Sequence, residues 1–364
     1  MKKIAALLYI FILIFTSCEE EVDYYDLGVK NFIVVNGKFV DGETPWCQVS
    51  RSDIIFEQIK NKITPTVFLP NANVTVTEGN SDYKYVVIGD SAVMEAEGVK
   101  VKAGETYTLR AKSDGLDDVY TTVSVPSKPK AELRFISVEK EKVNEMFYFD
   151  VFENQERVKI TYELNLEDDP NTEDYYQILF HANTKEYDII YEIDTIRGYW
   201  NGDDWVDAEN GPDKIYRSHP THADSTIAYK IHYELLTSND PIMNWNQNQS
   251  DNNLFESFEY NDRSLFNDQL FNGQTTKIRF NLYIYEDEDQ YYSVINYNDP
   301  IYYELRHINK EMYLYNRTYQ KVVNNDMAVS LSPYMLYCNV QNGAGLVAAW
   351  SSVKKQLEIP DFQK

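Results

Sequence analysis

The residue best placed to do chemistry is Cys18. It closes Phe15-Thr16-Ser17-Cys18, small residues running into a thiol, behind a basic pair at Lys2 and Lys3 and an apolar run from Ile4 to Phe15. This is the pattern of a bacterial lipobox, in which the thiol is lipidated with acyl chains such as palmitate and the peptide ahead of it is removed. The apolar run has secretory length and falls short of the roughly 20 residues that a bilayer span needs. A plain signal peptide cut near Ser17 and an uncleaved anchor are the alternatives. Directly after the cysteine stand Glu19, Glu20 and Glu21, with Asp23 behind them. Such an acidic cluster suits an export tag that carries a lipoprotein to the cell surface, and equally a charged, solvated tether.

Other residues offer weaker chemistry. His219-Pro-Thr-His222-Ala-Asp224 brings two imidazoles and a carboxylate close together, as a zinc site needs, but Pro220 and the polar surroundings predict an exposed loop with no fixed spacing. The acidic runs Glu167-Asp168-Asp169, Glu173-Asp174, Asp203-Asp204-Trp-Val-Asp207 and Glu286-Asp287-Glu288-Asp289 supply oxygen ligands for Ca²⁺. None has the spacing of an EF-hand loop, and they read first as solvated turns. Trp200, Trp205 and Trp245 stand in polar stretches, where they either stack on a sugar ring or anchor a protein partner, or plug their own loops onto a sheet. No Ser or Cys sits in a Gly-flanked elbow and no Gly-rich phosphate loop occurs, so no catalytic residue, cofactor or metal ligand is assigned. A glycosidase carboxylate pair stays open, because such pairs meet only in space. Asp90-Ser91-Ala92, Asp194-Thr195-Ile196 and Asp224-Ser225-Thr226 fit a short bacterial O-glycosylation pattern.

The elements that must position these groups are strands. Thirty tyrosines and only 14 glycines in 364 residues point to an ordered, β-rich chain. Short alternating segments recur from Phe32 to Val125, broken by turns such as Glu78-Gly79-Asn80, and predict a small β-sandwich, which resembles the immunoglobulin or carboxypeptidase-regulatory type of module. Val125-Pro-Ser-Lys-Pro-Lys130 marks a boundary. Beyond it the alternation lengthens in Val158 to Leu166, Tyr175 to Phe180, Tyr187 to Ile193, Ile227-Tyr229-Ile231-Tyr233-Leu235 and Ile278 to Ile284. Long polar loops are predicted at about 197–225 and 237–261. From Lys310 the period turns helical, with Met312, Tyr315, Tyr319 and Val322 in line and Asn309 as N-cap. A last strand is predicted over Met335 to Val340. The expected organisation is a signal peptide at 1–17, a tether at 18–30, a sandwich at 31–127 and a larger β-rich domain with one late helix at 131–364. Removal of residues 1–17, which hold Lys2 and Lys3, takes the net charge from −24 to −26. That acidity disfavours nucleic acid and anionic headgroups, so the membrane is held through the lipid on Cys18. A bridge between Cys47 and Cys338 is left open, because geometry decides disulfides.

Leu265-Phe266-Asn267-Asp268-Gln269-Leu270-Phe271-Asn272-Gly273, Glu311-Met-Tyr-Leu-Tyr315 and Asn339-Val-Gln-Asn-Gly-Ala-Gly-Leu346 resemble the signature stretches of the family called domain of unknown function 4249. The resemblance covers the whole mature chain. It implies an outer-membrane lipoprotein, often found beside a TonB-dependent transporter, and carries no catalytic residue over. The function expected is thus a non-catalytic accessory or binding subunit of such a transporter, lipid-anchored at the outer membrane and facing the cell exterior. A free-standing surface binder of glycan or peptide is the alternative, with a surface hydrolase behind it.

Overall fold

The computed structural model describes residues 31–52, 67–88, 93–147, 150–201, 204–208, 211–232, 236–243, 264–285, 293–295, 299–324 and 336–359. The first strands are short: β1 (Ile33–Val40), β2 (Trp46–Arg51), β3 (Val67–Phe68), β4 (Asn73–Glu78), β5 (Ser81–Val87), β6 (Val93–Ala96), β7 (Thr106–Lys112) and β8 (Val119–Ser124). Longer ones follow, with a few short partners: β9 (Lys130–Phe147), β10 (Asp150–Glu167), β11 (Tyr175–Asn201), β12 (Asp204–Asp207), β13 (Asp213–His232), β14 (Leu236–Thr237), β15 (Leu265–Asn267), β16 (Thr275–Tyr285), β17 (Ser293–Ile295) and β18 (Tyr302–Ile308). The helix α1 (Lys310–Asn324) and β19 (Val347–Gln356) close the chain. The protein is mainly β, with one helix late in the sequence, as expected.

The short strands make a sandwich. One layer runs β1-β2-β6 and the other β5-β4-β7-β8, and β5 joins them by pairing β4 through Ser81–Lys84 and β6 through Tyr85–Val87. Alternation puts Ile33, Val35, Cys47 and Val49 opposite Val74, Val76, Tyr107 and Leu109, all buried in one core. Gly79 takes φ +57 in the predicted turn, a conformation a glycine adopts without strain. β1 does not break at Asn36-Gly37 as its sequence suggests. A Cβ at Gly37 would come within 2.8 Å of the Trp46 carbonyl, so here the glycine lets two strands close up rather than turning the chain.

The longer strands make a second pair of layers. Val158, Ile160, Tyr162, Leu164 and Leu166 of β10, with Ile278, Phe280 and Leu282 of β16, pack on Tyr176, Ile178 and Phe180 of β11 and Tyr303 and Leu305 of β18. Each set alternates in sequence, and each lies on one face.

β19 serves both sandwiches. Val347–Trp350 pair parallel with β1, while Trp350–Gln356 pair antiparallel with β18. Val347 and Ala349 join the first core, and Leu357 just beyond the strand joins the second. The expected strand at 335–340 is therefore displaced. Residues 336–340 run without regular structure, and Met335 lies outside the described residues. Asn339 explains the displacement, because its side-chain amide exchanges two 2.9 Å hydrogen bonds with the backbone of Val347, taking the place of a strand partner. Asn309 caps α1 as predicted, accepting from Met312 N–H at 3.3 Å, and it also accepts from Ala349 N–H at 3.1 Å. Among the helix residues 310–319 the deepest is Tyr313 rather than the predicted Met312 row. It lies 4.7 Å from Tyr175 between ring centroids and packs with Leu265 and Ile308. Cys47 is buried, Cys338 is exposed, and both are free thiols.

Candidate functional site

Cys18, Glu19, Glu20, Glu21 and Trp245 lie outside the described residues, as do Asp203 and Glu286–Asp289. The remaining candidates do not converge. The polar region at 197–225, read above as loop, is largely strand. β11 turns at its tip into β12, and β13 then runs back along β11 from Gly198↔Asp213 to Phe180↔His232. His219, Pro220 and His222 stand on β13, opposite Glu192, Tyr191 and Ile189. A proline is tolerated there because, among the described residues, β13 pairs with β11 alone and is an edge strand. Trp200 lies on β11 at the tip, 57 % exposed, directly across from Trp205 on β12.

Two features emerge whose assembly the sequence did not show. The first is a carboxylate–imidazole cluster where the two sandwiches meet. Asp168, Asp174 and Asp268 bring oxygens to within 4.8 Å of one another. Asp174 is buried, against the expectation of a solvated turn, and Asp268 is buried as well. Asp168 accepts from Tyr176 Oη–H at 3.0 Å and Gly273 N–H at 2.8 Å. Asp268 accepts from Asp174 N–H at 3.0 Å, and Asp174 accepts from Thr172 Oγ1–H at 2.9 Å. His307 bridges outward, with Nε2 3.0 Å from Asp174 Oδ1 and Nδ1 2.9 Å from the Ser127 carbonyl. The Ser127 carbonyl can only accept, so Nδ1 donates to it.

Burial pushes Asp168 and Asp268 above the ordinary carboxyl range, and the neighbouring carboxylates add to it. Burial would lift Asp174 too, but the hydrogen bonds and charge of His307 hold it below that range. A cleft of about 430 Å³ opens beside the group, lined by Ser127, Pro129, Asp168, Asp174, Tyr176 and His307. Three hard oxygen donors suit a cation such as Ca²⁺ by type. In this geometry their oxygens already face N–H and O–H donors, so the cluster ties the linker, β11, β18 and the 268–273 turn together.

The second feature is the outer face of β13. Ile227, Tyr229 and Ile231 are 62, 54 and 40 % exposed. Alternation predicted an apolar face, and one exists, but among the described residues no layer of the second core covers it. The inner-face residues of β11 pack on β10 and β16, whereas Ile231, Tyr229 and Ile227 pair with His181, Asn183 and Lys185 on its other side. Lys354 fixes the middle of the row, donating to Tyr229 Oη at 2.7 Å with its ammonium 5.2 Å from the Tyr229 ring and 5.4 Å from Tyr302. His181 stacks on Tyr229 from below at 5.9 Å.

These features define a class, a two-sandwich β-protein with an exposed, largely apolar strand face. The particular family follows from comparison with known sequences. The family profile described as a domain of unknown function (DUF4249) matches residues 19–356, and the chain belongs to that family. Neither the curated proteins nor the solved structures yield a match.

Proposed function

We propose that this chain is a surface-exposed outer-membrane lipoprotein, anchored through a lipid on Cys18, that acts as a non-catalytic binding subunit of a TonB-dependent transporter complex. The observation that carries the reading is the exposed row Ile227, Tyr229, Ile231. Contiguous apolar side chains on a strand face cost free energy in water that a partner's surface recovers, and such patches mark interaction sites. The anchor rests on the Lys2-to-Cys18 sequence, and the transporter on what the family resemblance implies. Purified in mild detergent from its own outer membrane, the lipidated protein is expected to carry a β-barrel in stoichiometric amount. Finding it always alone overturns the reading.

A second reading is favoured by Trp200 alone: a free-standing glycan binder with an exposed indole near the end of β11. On that reading Trp200→Ala abolishes retention on a glycan column and leaves the barrel complex intact. Retention unchanged by the substitution dismisses it.

A further inference from the structure

We infer that one corner of the first sandwich, made by the outward-facing side chains Phe32, Val34, Phe68, Ile88 and Val93, rests on the lipid surface that holds the anchor. The inference rests on the Cys18 anchor of the reading above, and adds a second membrane contact and an orientation for the first sandwich.

The patch follows from register. Ile33, Val35, Cys47 and Val49 point into the core, so the residues between them on β1 and β2 point out. Val34 stands opposite Ser50, and Ser50 opposite Phe68 on β3. Phe32 extends the outward row of β1, its carbonyl accepting from Ser52 N–H at 2.9 Å. Two residues back along β2, Gln48 faces Val93 on β6, and Ile88 N–H donates to the Val93 carbonyl at 3.0 Å. Phe32, Phe68 and Ile88 are 36, 43 and 43 % exposed. Ser50 points outward between Val34 and Phe68 and is 7 % exposed, a small side chain sunk among larger ones. Apolar side chains gathered at one exposed corner mark a contact surface.

The entry of the chain says what that surface meets. The described residues begin at Asn31, and Phe32 of the patch is the next. Thirteen steps of chain, 31 less 18, separate Cys18 from Asn31, and at full extension they reach at most about 45 Å. A surface held that close to a bilayer meets it at a high effective concentration, so a weak contact is populated without a tight one being built. The chemistry of the corner suits lipid. The net charge of the mature chain, −24 less the two lysines or −26, works against attraction to anionic headgroups. All five side chains of the patch are uncharged, and apolar groups settle at the boundary of headgroups and acyl chains whatever the headgroup sign.

The test uses the full lipidated chain in its own outer membrane, with a photoreactive benzoyl-phenylalanine in place of Phe68. A second sample carries it in place of Tyr120, which is 47 % exposed on β8 in the opposite layer. After irradiation and mass spectrometry, position 68 is expected to carry membrane lipid in at least tenfold higher yield than position 120. Phe32→Asp combined with Ile88→Asp alters only exposed side chains, and is expected to keep the wild-type circular dichroism while lowering the lipid yield at position 68 at least tenfold. Adducts to residues 18–30, to a second copy or to another protein in place of lipid overturn the inference. So do equal lipid yields at the two positions, or a yield that the aspartates leave unchanged. If the chain stays with the membrane through an alkaline wash but position 68 takes up no lipid, the contact falls and the anchor stands. If the chain washes off, both fall.

Discussion

A chain that stops at residue 335 is expected to have no cooperative unfolding transition, in either sandwich. The stop removes β19, the strand that both share. β1 loses its parallel neighbour, and with it the carbonyls of Ala344, Leu346 and Trp350 that accept from Val35, Gly37 and Asp41. β18 loses its whole antiparallel partner from Tyr302↔Gln356 to Ile308↔Trp350. The cores lose Val340, Val347 and Ala349 on one side and Leu357 on the other. Burial of each large aliphatic side chain is worth about 1.5–3 kcal/mol, and each backbone donor left buried without a partner costs about 1–3 kcal/mol. The sum exceeds the roughly 5–15 kcal/mol that holds an ordinary domain together. Thermal unfolding followed by far-ultraviolet circular dichroism reads the outcome, and a synthetic peptide of residues 336–359 added in excess is expected to restore the transition. A truncated chain that still melts sharply near the wild-type temperature shows that the sandwiches do not depend on their common strand.

Much of this fold is legible in the sequence because alternation and capping are local. Val158 to Leu166 announce a buried strand face, and Asn309 announces the start of a helix, from spacing alone. The place of β19 is not local. Val347 meets Gly37 across some three hundred residues, and the apolar stretch from Leu346 to Trp350 does not name its partners. The same limit hides the junction cluster. Asp174 meets His307 133 positions away and Asp268 94 away, and although Asp168 and Asp174 belong to acidic runs singled out beforehand, Asp268 and His307 do not. Alternation also fixes a face without fixing what covers it. Ile227, Tyr229 and Ile231 read like Ile278, Phe280 and Leu282, yet the first set faces solvent and the second a core. His219-Pro-Thr-His222 reads as a loop because proline breaks most strands, and it is strand here because, among the described residues, β13 pairs on one side only, and an edge strand tolerates a missing N–H.

Glu304→Leu is expected to destabilise the protein by about 3–5 kcal/mol, the usual cost of removing one partner from a buried charged group. Glu304 lies buried on the outer face of β18. Arg306 donates to both its oxygens, Nε to Oε1 and Nη2 to Oε2 at 3.0 Å each, and His181 Nε2 lies 2.7 Å from Oε2. The substitution leaves a buried guanidinium facing hydrocarbon. Adding Arg306→Met and His181→Leu is expected to recover most of the loss, because the charges then leave together, and recovery separates electrostatic damage from a packing defect.

Acidity supplies the second arm of that experiment. Burial pushes the Glu304 carboxyl up, but the hydrogen bonds from His181 and Arg306 outweigh it and hold the group down at about 2, against 4.5 unperturbed. A lowered carboxyl stabilises the fold fully above its unfolded value and loses that contribution as pH falls through its folded one. The stability gap between wild type and Glu304→Gln should therefore be constant above about pH 5 and narrow toward pH 2. Asp168 and Asp268 act with the opposite sign, since raised carboxyls favour the folded chain as pH falls, and they contribute equally to both proteins, so the difference isolates Glu304. A gap that holds constant to pH 2 contradicts the charged network. The consequence reaches the surface as well, because His181 bonds Glu304 below and stacks on Tyr229 above. Glu304→Gln should then weaken capture at the β13 face although no atom of residue 304 lies on it.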